Sequence, residues 1–142
     1  MSNSVFWDTN LFVYWIEQAS PWAERVQKLL DWSNSRGLKT VTSSLTLAEI
    51  LVRPLSLGET ATARRYKDLI TKTGCIPFGA EEAWVFGEIR AQYPMIKPPD
   101  AIQLACASVH GVELFVTNDQ RIKQIKVRGI KHIRTLDAAI ER

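Results

Sequence analysis

From end to end, this chain alternates short β-prone runs with longer stretches in which apolar residues recur at helical spacing. Residues 4–8 and 38–43 read as strands, 75–78 as a short one, 113–117 as a clear one and 130–133 as a weak one. Helical spacing covers residues 10–17, 21–35, 45–52, 58–73, 80–93 and 101–110, with a short helix after Asp119 and a last one from Thr135. Local signals mark the boundaries. Gly37 and Gly111 close helices, Ser43 or Ser44 caps the helix at Leu45, and Pro54 stops it. Pro98-Pro99-Asp100 opens the helix that starts at Ala101. Strands alternating with helices call for a parallel sheet covered on both faces, so the expected fold class is α/β, as three-layer α/β/α.

The 142 residues fit a single domain, 1–142. With 46% hydrophobic residues, five tryptophans and five phenylalanines, the chain fills a core without disulfides or a structural metal. Cys75 and Cys106 each lie in an apolar stretch and read as core fillers, and His110 and His132 stand at no zinc-ligand spacing from them. No apolar run reaches the roughly 18 residues of a membrane span. Met1-Ser2-Asn3-Ser4 lacks the basic start of a secretion signal, so the expected location is the cytoplasm. A net charge of +3 permits a polyanionic partner without requiring one.

Topology gathers four acids from distant stretches. In a parallel α/β sheet with right-handed crossovers, strand C-termini and helix N-termini share one edge. Asp8 ends the first strand, Asp119 lies two residues past the fourth, Glu49 sits early in the helix after the second, and Asp100 opens the helix before the fourth. Singly, Asp8 could make an Asx-turn, and Asp100 or Asp119 could cap a helix. Glu49 has Leu45 and Val52 as i−4 and i+3 neighbours, a costly setting for a buried unpaired carboxylate, though a solvated face is the plainer reading. Jointly, four crowded carboxylates repel one another unless cations neutralise them. Arg121 is the only basic residue beside them in sequence. Oxygen ligands without His or Cys suit Mg²⁺ or Mn²⁺, and such clusters suit phosphodiester hydrolysis.

Four fragments, in order, resemble the PIN-domain family over essentially the whole chain: Val5-Phe6-Trp7-Asp8-Thr9-Asn10, Ala48-Glu49 ahead of Arg53-Pro54, Pro99-Asp100-Ala101-Ile102-Gln103-Leu104-Ala105, and Phe115-Val116-Thr117-Asn118-Asp119. The resemblance implies strand order 3-2-1-4-5, a pocket at the carboxyl edge beside the first strand, and Mg²⁺- or Mn²⁺-dependent RNA cleavage. It also implies Asp8 and Asp100 as main metal ligands, Glu49 and Asp119 as their partners, and Asn10 and Thr117 as orienting groups. At this size the chain is similar to VapC-type toxins of toxin–antitoxin pairs, which implies a homodimer and a cognate antitoxin.

Arg121, Lys123, Lys126, Arg128, Lys131 and Arg134 are the candidate phosphate contacts of the tail, and Arg53, Arg64, Arg65 and Lys67 form a second basic group. Arg121 and Arg53 are the leading candidates, against an ordinary solvated surface as the plainer reading. Trp7 reads as core, and Trp15, Trp22, Trp32 and Trp84 as packing or interface residues. Two other functions compete: a PIN-like RNA- or protein-binding module without catalysis, and a haloacid-dehalogenase-type phosphatase. The latter resembles an Asp-x-Asp pattern that Asn10 breaks. No Gly-rich phosphate loop follows the first strand.

Overall fold

In the computed structural model, which describes residues 3–140, a five-stranded parallel sheet has the order β3-β2-β1-β4-β5. The chain runs β1 (Ser4–Trp7), α1 (Thr9–Ile16), α2 (Trp22–Ser35), β2 (Lys39–Ser43), α3 (Ser44–Ser56), α4 (Thr60–Thr73), β3 (Cys75–Ile76), α5 (Ala80–Gln92), α6 (Pro98–His110), β4 (Val112–Thr117), β5 (Ile130–Thr135) and α7 (Leu136–Ile140). A 3₁₀ turn at Ile122–Gln124 replaces the helix expected after Asp119. The α/β class and the order 3-2-1-4-5 are as the sequence and its family resemblance imply.

Side-chain alternation along the two central strands divides the core. Phe6 and Phe115 point to one face and stack with ring centroids 5.0 Å apart, joining the α5–α6 layer through Val85, Ile89, Leu104 and Cys106. Val5, Trp7, Leu114 and Val116 point to the other face, against Leu11, Phe12, Val26, Leu29 and Leu136. A period of two places consecutive residues in opposite layers. Trp7 is 1% exposed and belongs to the core. Trp84, at 73%, faces outward from α5.

Three boundaries differ from expectation. Pro54 lies inside α3 and does not stop it. In the last turn its ring costs one backbone bond, its side chain is buried, and Leu57 N–H, Gly58 N–H and Glu59 N–H still reach Arg53 O, Leu55 O and Pro54 O. Helix α6 starts at Pro98, not Ala101, with both prolines in the positions where a missing N–H costs nothing and Lys97 as N-cap. β3 pairs over only two residues, because Pro77 has no N–H to continue the ladder. Gly129, at φ +87°, admits the close approach of β5 to α6: a Cβ there would stand 2.1 Å from the Ser108 carbonyl oxygen.

Candidate active site

The carboxyl edge of the sheet places Asp8, Glu49, Asp100 and Asp119 around one concavity of roughly 260 Å³, with Thr9, Asn10, Pro99 and Gln103 completing its wall. Each acid arrives by a local device. Asp8 sits in extended conformation between β1 and α1, its N–H donating to Val116 O at 3.1 Å, so it prolongs the β1–β4 pairing by one residue and is the N-cap of α1. Glu49 rides on α3, whose first turn is tied down by Leu45 N–H donating to Ser43 Oγ at 3.2 Å. Asp100 is the third residue of α6, inside its first turn, so the capping position belongs to Lys97 instead. Asp119 lies just past β4, where its N–H donates to Thr117 Oγ1 at 3.1 Å.

The acids differ electrostatically. Burial pushes the Asp8 carboxyl up to about 6, Thr117 Oγ1 donating at 2.9 Å opposes this, and the charges of Asp100 and Glu49 add to the rise. Asp100 is raised by partial burial and by Asp119, and lowered by Arg121 and Lys97. Asp119 is lowered, chiefly because Arg121 grips it through Nε to Oδ1 at 3.0 Å and Nη2 to Oδ2 at 2.8 Å. Arg121 N–H donates to Oδ1 as well, at 2.9 Å, so Asp119 also caps the 3₁₀ turn.

Some sequence-level reasons do not survive. Glu49 is exposed and Val52 is 65% exposed, so the apolar neighbours of Glu49 are no sign of burial; it faces an open pocket. Arg121, beside the pocket, is paired with Asp119 at 2.8 Å. Arg53 lines a separate groove of roughly 480 Å³ between α1, α3 and α4, which meets the acid pocket at Glu49. Lys97 acts on both Asp100 and Asp119, so Arg121 is not the sole cation nearby. In the tail, Lys131 pairs with Glu113 and Arg128 with Glu88, each at 3.5 Å. Asn10 lines the pocket and is exposed, whereas Thr117 is buried and bridges Asp8 to Asp119.

A buried polar group under Glu49 has no counterpart among the residues expected from the sequence. Gln103 Nε2 donates to Thr9 Oγ1 at 3.0 Å and Thr46 Oγ1 at 2.9 Å, and Thr9 Oγ1 donates to Glu49 Oε1 at 2.7 Å. The signal available was a glutamine in an otherwise apolar helix segment, Ala101–Ala107.

The donor set suits a hard divalent cation: carboxylate oxygens with no sulfur or imidazole, and a half-buried Asp8 carboxylate whose ionisation no basic group favours. Among the described residues, no three His, Cys, Asp or Glu side chains close on a single point at ligand distance. A cation here would therefore keep waters among its ligands, as Mg²⁺ does.

No curated protein sequence matches the chain. Its fold is similar to a toxin–antitoxin complex from Klebsiella pneumoniae (21% identity, TM-score 0.70, covering 89% of this chain and 95% of that one). It is also similar to DNA-bound VapBC from Salmonella typhimurium (23%, TM-score 0.72, 96% and 99%), and to VapBC2 from Rickettsia felis bound to a promoter DNA fragment (18%, TM-score 0.67, 92% and 97%). The PIN domain model matches residues 5–141, nearly the full length, and the chain belongs to the PIN domain family.

Proposed function

We propose that this protein is a Mg²⁺- or Mn²⁺-dependent endoribonuclease, the toxin of a VapBC-type toxin–antitoxin pair acting in the cytoplasm. The carrying observation is the meeting of Asp8, Glu49, Asp100 and Asp119 in one pocket at the carboxyl edge of the sheet. Asp8 and Asp100 would hold the cation, with Glu49 and Asp119 beside them. Such a cation lowers the pKa of a bound water and offsets charge on a phosphoryl oxygen. The chain's own residues supply the rest. Thr117 orients Asp8 by a hydrogen bond, Thr9 orients Glu49, and Asn10 offers an amide to the pocket. Arg121, 60% exposed at its side chain, spends its Nε and Nη2 on Asp119 and would meet a phosphate through the remaining edge of its guanidinium. Arg53 would meet the substrate further along the neighbouring groove. The expected products carry a 3′-hydroxyl and a 5′-phosphate.

A cognate antitoxin is supported by the toxin–antitoxin complexes among the structural neighbours. A homodimer is supported by Val52, Leu55, Leu57 and Trp84, large apolar side chains left exposed on α3, just beyond it, and on α5. No described helix is long and apolar enough to cross a membrane.

The test is cleavage of single-stranded and structured RNA by the purified chain in Mg²⁺ or Mn²⁺ and in EDTA. Cleavage that EDTA abolishes and either metal restores is expected; intact RNA under all conditions removes the nuclease reading. One observation favours a second reading, a binding module without catalysis: Asp119 is already neutralised by Arg121. Metal-independent RNA retention without cleavage would select it. Asn10, standing where a phosphatase of the Asp-x-Asp type carries its second acid, disfavours that third possibility.

A further inference from the structure

We infer that Gln103 is a positioning residue: it fixes the direction of a hydrogen-bond relay that makes Thr9 a donor to Glu49. The inference rests on the nuclease reading only for what Glu49 then does; the relay itself is geometric.

Gln103 is 2% exposed, on the inner face of α6. Its two ends differ. Ser43 Oγ already receives the Leu45 N–H as the cap of α3, so its own proton is free, and it donates to Gln103 Oε1. That contact orients the amide and turns Nε2 the other way. An amide nitrogen only donates. Thr9 Oγ1 and Thr46 Oγ1, themselves 3.0 Å apart, both lie within 3.0 Å of Nε2 and must both present lone pairs to it. Thr9 cannot send its single proton back to that nitrogen. Its remaining choices are Thr46 Oγ1 at 3.0 Å and the Glu49 carboxylate at 2.7 Å, and the charged acceptor wins. Thr46 has an alternative partner in Thr42 Oγ1, 2.8 Å away, so it does not need the proton of Thr9.

The relay joins α1, α3 and α6 through residues as far as 94 positions apart in the chain. It holds an exposed glutamate by a buried anchor. Without the Gln103 N–H groups, Thr9 and Thr46 are free to satisfy each other, and Glu49 loses its oriented donor. A half-satisfied buried network is costly, which is why its polar groups have to be present together.

The experiment uses the full chain and Mn²⁺ alone as probe. Q103M keeps the size of the side chain and removes its polar atoms, T9V removes the hydroxyl, and T9S keeps it. Q103M and T9V should each weaken Mn²⁺ affinity roughly 10- to 100-fold, the range for groups that orient metal ligands. The double variant should be no weaker than the weaker single, because both act through one bond, and T9S should bind nearly as the wild type does. A folded Q103M with wild-type affinity, or losses that multiply in the double variant, overturns the relay. Metal-free crystal structures give a readout independent of nuclease activity. Thr9 Oγ1 and Glu49 should stay within hydrogen-bond distance in the wild type and part beyond about 3.5 Å in Q103M. An unchanged contact overturns the proposal. Should Q103M not fold, Q103E, which keeps the acceptor for Ser43 and lacks the amide donors, carries the same crystallographic test. If the wild type binds no Mn²⁺, the nuclease reading fails while the crystal structures still decide the relay.

Discussion

The two sides of the acid pocket are unlike. On the β1 side, Asp8 is fixed by backbone pairing to Val116 and is raised by burial and by neighbouring acids, with the Thr117 hydroxyl and the Thr9 backbone N–H, but no basic group, to offset them. On the β4 side, Asp119 takes three N–H groups from Arg121 and is lowered. Same residue type, same edge, opposite electrostatics. Charge is left uncompensated where the chain is rigidly anchored and is compensated where it turns into a loop. An anchored, uncompensated carboxylate is the arrangement that rewards a cation most.

The largest effect that separates the two sides is on turnover. Asp8→Asn and Asp100→Asn should each cut RNA cleavage by on the order of 10³-fold or more, while circular dichroism stays that of the wild type. A wild-type rate in either variant would remove that residue from the site. Stability should move the other way. Because folding raises the Asp8 pKa from 3.8 to about 6, its contribution is fully present below pH 3.8 and is lost as pH rises through about 6. Metal-free wild type should therefore weaken between about pH 4 and pH 6. Asp8→Asn should relieve up to about 3 kcal/mol at pH 7, seen as a higher melting temperature without that pH dependence. A variant that melts lower than the wild type at pH 7 would show that Asp8 is not under electrostatic strain.

Smaller effects probe the link between the sides and the β4 side itself. Thr117→Val takes a donor from Asp8 and an acceptor from the Asp119 N–H. The acid limb of Mn²⁺ binding should shift to higher pH, with an unmoved limb counting against Thr117 as an orienting group. Arg121→Ala should change cleavage only a few-fold. If Arg121 does share itself with a phosphate, the slope of log affinity for RNA against log salt should fall by about one unit. A loss as large as that of Asp8→Asn would place Arg121 at the centre of the chemistry.

Much of this was legible in the chain. The alternation of Val5, Phe6 and Trp7, repeated by Leu114, Phe115 and Val116, specifies two buried faces, and right-handed crossovers then fix which edge receives Asp8 and Asp119. Glu49 was singled out for a reason that fails, since Val52 is exposed, yet it reaches the pocket because α3 follows β2 directly. Pro54 reads locally as a stop because local rules count its lost N–H and not the burial of its ring. Lys97 is hard to see as a neighbour of the acids because it stands three residues before Asp100, a full helical turn away in sequence though close in space. Gln103 stands out only as a glutamine among apolar neighbours, and Thr9 and Thr46 carry no local signature. Isolated polar residues on three helices become one network only after the sheet has brought those helices together.

The short reach of β3 has a mechanical consequence. Its two paired residues make it the weakest margin of the sheet, whereas β1 is held on both flanks by β2 and β4. In deuterium exchange, amides around Cys75 and Ile76 should trade first and those of Phe6 and Phe115 last. The groove lined by α3 and α4 can then gape as that margin breathes, while Asp8 keeps its place over the stiffest part of the domain.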